Sequence, residues 1–204
     1  MKETIDNIIA IEWEMFDKVQ GTDGRALCQD DKITFDIMRG SQYESWPERL
    51  CESWYQDLLS AKEEGRNLMT EKYAYMMEYS SPEEFDSIRD LIPKLSEEKR
   101  ILVRKVTNKN LTATAEVASK YPEIVSMGRK LHSSEDTKED PSIETYFIGE
   151  LSTYSIKTLS IYDAYLDELE SENKNIAELS YRSQAKKYGF DSLEDWVSYI
   201  RSCK

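Results

Sequence analysis

Apolar residues recur at helical spacing along nearly the whole chain. Ile5, Ile8, Ile9, Ile11, Trp13, Phe16 and Val19 fall on one side of a helix predicted over about residues 3–20, which Gly21 and Gly24 close. Phe35, Ile37, Met38, Tyr43, Trp46, Leu50, Trp54 and Leu58 predict a second run from about Lys32 to Ala61. Pro47 kinks or breaks that run, because it lacks a backbone N–H and disfavours helix at Trp46; Gly65 ends it. Leu68, Tyr73, Met76 and Met77 mark a third helix from about Asn67 to Tyr79. Ser81-Pro82 opens a short fourth that Pro93 ends, and Ser96 caps a fifth that runs to about Lys120. Further on, Tyr146, Phe147, Leu151, Tyr154, Leu159, Tyr162, Tyr165, Leu166 and Leu169 predict one long helix from Pro141 to the interruption at Asn173. A helix over about 175–188, stopped by Gly189, and a last one capped at Asp191-Ser192 complete the chain.

Only 7 Gly and 5 Pro in 204 residues leave little material for the turns of a β protein, so the fold class is all-α. A repeat search sharpens this. A shift of about 108 residues lays Gln42 on Glu150, Trp46 on Tyr154, Trp54 on Tyr162, Leu58 on Leu166, Asn67 on Asn175 and Tyr73 on Tyr181. With small gaps, Gly24-Arg25 faces Gly128-Arg129, Cys28-Gln29-Asp30 faces Ser134-Glu135-Asp136, and Glu12-Trp13 faces Glu116-Val117. The expectation is one compact helical domain over 1–204, built as a tandem pseudo-repeat with halves of about 1–92 and 93–204.

The net charge of -13 argues against nucleic acid as a partner, since phosphate binding needs a basic stripe, and against anionic membrane surfaces. Basic peptides, amines, sugars and metal ions are compatible with it. Cys28, Cys51 and Cys203 have no metal-type spacing and read as reduced thiols; the N-terminal pattern contains acids and is no signal peptide, which places the protein in the cytoplasm.

Chemically able side chains concentrate in two polar loops. The first offers Arg25, Cys28, Gln29, Asp30 and Asp31; the second, from about Met127 to Pro141, offers His132, Ser134, Glu135 and Asp136. If the halves pack about a pseudo-twofold axis, both loops converge on one cleft, with Gln42 and Glu150 reaching in from the following helices. Asp30, Asp31, Glu135 and Asp136 are then oxygen ligands for a divalent metal, to which His132 adds a nitrogen; alternatively these acids only cap helices. Glu12 and Glu14 flank Trp13 on an apolar helix, where a buried carboxylate needs a cation, and Arg25 or Arg39 can supply it. Cys28 beside Arg25 is a conceivable activated thiol with His132 as its base.

IEWEMF at Ile11–Phe16, GRALCQDD at Gly24–Asp31, MRGSQ at Met38–Gln42, EEGRNLMTEKYAYMME at Glu63–Glu78 and HSSEDT at His132–Thr137 resemble a bacterial family designated domain of unknown function 4125. The likeness covers nearly the whole chain and implies no activity, ligand or catalytic residue. Leu27 departs from the small residue expected in that loop. Two functions fit the residues: a small-ligand or protein-partner binding module with a polar cleft between the halves, or a carboxylate- or metal-dependent hydrolase or transferase drawing on the loop acids.

Overall fold

A computed structural model of the chain describes residues 1–21, 24–125 and 128–203, so the part of the second loop at Met127 lies outside the described residues. Among the described residues the protein is all-α. Eleven helices run in the order α1 (Lys2–Asp17), α2 (Lys32–Glu44), α3 (Glu48–Glu63), α4 (Leu68–Ser80), α5 (Pro82–Ile88), α6 (Glu97–Lys120), α7 (Pro122–Val125), α8 (Ile143–Thr153), α9 (Ile156–Ser171), α10 (Ile176–Lys187) and α11 (Leu193–Ser202). Short 3-10 turns at Leu27–Asp30 and Ser133–Glu135 sit in the two loops. None of these helices is long and apolar enough to cross a membrane.

Pro47 breaks the second predicted run outright into α2 and α3. The predicted long helix after Pro141 also breaks, at Tyr154 and Ser155, where there is no proline. Ser155 takes an extended backbone, its hydroxyl accepts from Thr158 N, and its own N–H donates to Asp57 of α3 at 2.9 Å. A serine cap with a distant carboxylate thus does what Pro47 does covalently. The first helix stops at Asp17, short of Gly21; the amide of Gln29 donates to the carbonyls of Phe16 and Val19 there.

Helix ends recur in matching form. After α3, Gly65 takes φ +69° and Arg66 N donates to Ala61 O; after α9, Asn173 takes φ +54° and Lys174 N donates to Leu169 O. Glycine and asparagine are the residues that accept this left-handed turn most readily. Asn67 then caps α4 and donates to Met15 O of α1, while Asn175 caps α10 and donates to Ala113 O of α6.

α1 packs on α2, α3 and α4; α6 packs on α8, α9 and α10. Across the middle, α4 lies on α8, α10 on α2, and α3 on α9. Gly149 lets α4 and α8 approach closely: a Cβ there would stand 2.4 Å from Met76 Cγ and 2.7 Å from Lys72 O. The main core draws on both sequence halves through Ile8, Tyr43, Leu50, Trp54, Leu58, Val106, Leu151, Tyr154 and Leu159. A smaller cluster of Val117, Ala185, Leu193 and Val197 joins α11 to α6 and α10.

Candidate functional site

The site begins with a carboxylate on the wrong face of a helix. Glu12 shares the core-facing side of α1 with Ile5, Ile8, Met15 and Phe16 and is fully buried. A buried carboxylate is stable only with charge and hydrogen bonds around it, and α2 and α3 bring both. Arg39 donates through Nε to Glu12 Oε2 at 2.7 Å and through Nη2 to Glu12 Oε1 at 2.6 Å. Tyr43 Oη and Trp54 Nε1 also donate to Glu12 Oε1, and Arg39 Nη2 donates to Tyr43 Oη. Of the two cations considered for this role, Arg39 fills it.

The other edge of the same guanidinium reaches α8. Arg39 Nη1 donates to Glu150 at 3.0 and 2.9 Å and to Gln42 Oε1 at 2.8 Å, and Gln42 Nε2 donates to Glu150 Oε1 at 2.8 Å. Lys72 of α4 donates to Glu150 Oε2 at 2.7 Å, and Tyr154 donates to Oε1 at 2.9 Å. Burial alone would push the Glu150 carboxyl up, but Arg39 and Lys72 hold it well below the usual carboxylate range. Burial would likewise lower the Arg39 pKa, and Glu12 and Glu150 raise it well above its ordinary value. Burial raises the Tyr43 and Tyr154 phenols, so both stay protonated as donors. Arginine suits this position because one planar guanidinium serves two carboxylates along two edges, which an ammonium cannot do.

This network floors a cleft of about 490 Å³ between the two halves. Arg39, Gln42, Lys72 and Glu150 form its base, and Phe16, Phe35, Tyr73, Tyr146, Phe147 and Tyr181 form its walls. Phe16 and Phe35 stack at 5.4 Å. Lys72 Nζ and the Arg129 guanidinium both lie over the Tyr146 ring, 5.2 and 4.3 Å from its centre. A second depression of about 500 Å³ lies between α6 and the α9–α10 turn, lined by Asn108, Glu116, Asn173 and Asn175.

Glu12, Arg39, Gln42 and Glu150 are therefore brought together, while the loop residues are distributed among local tasks. Glu14 is exposed and bound to Lys18 and Lys62, which hold its carboxyl down at about 2. Arg25 pairs with Asp17 and Asp30 on the surface. Asp31 caps α2 through Thr34 N, and buried Gln29 caps α1. Asp136 accepts from Ser142 N and from the Thr145 hydroxyl, bracing the start of α8. His132 Nδ1 lies 3.6 Å from Glu144, and Ser134 and Glu135 are exposed in their 3-10 turn. Among the described residues no group of three or more His, Cys, Asp or Glu is placed to hold a metal ion. The set Asp30, Asp31, His132, Glu135 and Asp136 is thus not assembled: Asp30, Asp31 and Asp136 each bond to their own loop or adjoining helix. Cys28 is exposed and free. Leu27 is 91% exposed, so its bulk does not enter the packing of the loop.

Lys72, Tyr43, Trp54 and Tyr154 complete the floor without having stood out as polar site residues. Lys72 carried a usable signal: it falls between Leu68 and Met76 at four-residue steps, on the buried line of α4.

Fold and site together define an all-α protein with a charged, aromatic-walled cleft at its centre. Residues 2–197 match the family described as "Protein of unknown function (DUF4125)", and the chain belongs to that family. No curated protein and no solved structure is significantly similar to it.

Proposed function

We propose that the protein binds a small ligand in the cleft between its halves, and that the halves are a tandem pseudo-repeat related by an approximate twofold axis. The observation that carries the binding reading is the cleft itself. It is about 490 Å³, within the range of ligand sites, with apolar rings around a few fixed polar groups. Its base is held by the hydrogen bonds of Arg39 and Glu150, so the site is preorganised and pays no reordering cost on binding.

Reciprocal packing supports the duplication: α4 lies on α8 as α10 lies on α2. Gln42 and Glu150, 108 residues apart, bond to each other, as residues astride such an axis do. Asn67 and Asn175 perform the same two tasks at the same spacing. The pairing that fits these bonds sets Asn110 against Glu12 in place of Glu116. Tyr162 Oη donates to Asn110 at 2.8 Å as Trp54 donates to Glu12. On this reading only the first half kept a charged hub. The three free thiols support a reducing, cytoplasmic location.

A hydrolase or transferase drawing on the loop acids gains no comparable support, since Asp30, Asp31 and Asp136 serve as caps and ion pairs. The test is a thermal-shift screen of small molecules on the native chain and on Ser180→Trp, which fills the cleft from α10. Compounds that raise the melting temperature of the first and not the second are expected. A screen in which no shift depends on the open cleft would sink the reading.

A further inference from the structure

The chain as a whole is strongly acidic, and its charge alone favours cationic partners. The cleft has the opposite preference. Its carboxylate, Glu150, already accepts from Arg39, Gln42, Lys72 and Tyr154, leaving little lone-pair capacity for an incoming amine. Its donors are less fully engaged. Among the described residues Lys72 makes one side-chain hydrogen bond, to Glu150, and two of its ammonium hydrogens remain. Arg129 bonds through Nη1 to Asp140 and Pro141 O, and its guanidinium faces the Tyr146 ring. Both cations lie against Tyr146, so their charges converge at one end of the cleft. On the α10 side, Gln184 lines the cleft at 7% exposure, and its side-chain amide makes no hydrogen bond within the described residues.

We propose, resting on the cleft as the binding site, that its ligand is a flat aromatic carboxylate. The acid sits beside Tyr146 between Lys72 and Arg129, the ring system lies against the aromatic walls, and a polar substituent at the far end meets Gln184. A carboxylate fits the supply of donors, because two oxygens are satisfied by one ammonium and one guanidinium edge. An amine would meet two like charges and an occupied Glu150.

The test uses one ring system with three heads: 2-naphthoate, 2-naphthamide and 2-naphthylmethylammonium, titrated calorimetrically at neutral pH. The acid is expected to bind at least about tenfold more tightly than the amide, a difference of about 1.4 kcal/mol, with no heat from the amine. Lys72→Met should bring acid and amide level, and Arg129→Gln, at the exposed rim where folding is not at stake, should weaken the acid severalfold and leave the amide unchanged. Ser180→Trp should abolish all binding. If amide and acid bind alike, or the amine binds best, the anionic ligand is wrong and the cleft reading stands. If none binds, the aromatic carboxylate is wrong; if binding survives Ser180→Trp, the cleft reading fails with it.

Discussion

The loop at Gly24–Asp31 and the floor of the cleft use the same side chains, an arginine among carboxylates, with opposite reach. Arg25 is 45% exposed and bonds to Asp17, 8 residues away, and to Asp30, 5 away. Arg39 is 11% exposed and joins Glu12, 27 residues back, to Glu150, 111 residues on. The first arrangement shapes a turn and is screened by water; the second connects the halves in a medium where a charge cannot be left alone. A dense cluster of polar residues in a sequence therefore reports local turn-making, whereas an isolated charge on an apolar helix face reports assembly.

The comparison can be broken most decisively at Arg39. Arg39→Met should destabilise the protein by about 3–5 kcal/mol, read from the urea midpoint, because it strands Glu12 and Glu150 in the interior. Adding Glu12→Gln and Glu150→Gln should restore much of that loss; no restoration would mean that packing, not stranded charge, was responsible.

Next in size is Gly149→Ala, expected to cost roughly 1–3 kcal/mol by thermal unfolding, since its Cβ meets the Lys72 carbonyl as well as Met76. Gly40→Ala in α2 meets only the end of Lys187 and Ile9 Cδ1 and should be tolerated.

The floor should also impose an acid limit. Glu150 titrates below its ordinary 4.5 when folded. The unfolded chain thus takes up that proton first, and the contribution is complete above the ordinary value and lost as pH falls through and below it. Stability measured downward from about pH 5 should fall less steeply in Glu150→Gln than in the native chain; equal slopes would place the acid sensitivity elsewhere. Smallest of all, Asp30→Ala should leave both the denaturation midpoint and cleft binding where they are, and a loss of binding would return the loop to the site.

Much of this was legible in the chain. Pro47, Gly65 and Pro122 mark boundaries because their backbone chemistry acts locally. The break at Ser155 was not legible, because a serine begins a helix as readily as it sits within one, and the deciding acceptor, Asp57, lies 98 residues away. Glu12, Arg39, Gln42 and Glu150 could be read as candidates because each is polar on a helix with an apolar side. The loop acids stand out in the sequence by their density, and in the structure Asp30, Asp31 and Asp136 make bonds within their own loop or to the adjoining helix. Lys72 is less legible, because a lysine among apolar residues commonly carries its ammonium to the surface, and only its place on the Leu68–Met76 line points inward.

The bond from Lys72 to Glu150 spans 78 residues, and this separation has a consequence for synthesis. A nascent chain carries α1 to α4 out of the ribosome well before the carboxylate that neutralises Lys72 has been polymerised. The face of α4 that will receive α8 stays wet and unclosed for that interval, since sealing it early would bury an ammonium alone. Chains that stall near the midpoint therefore display this seam, and only a finished copy covers it.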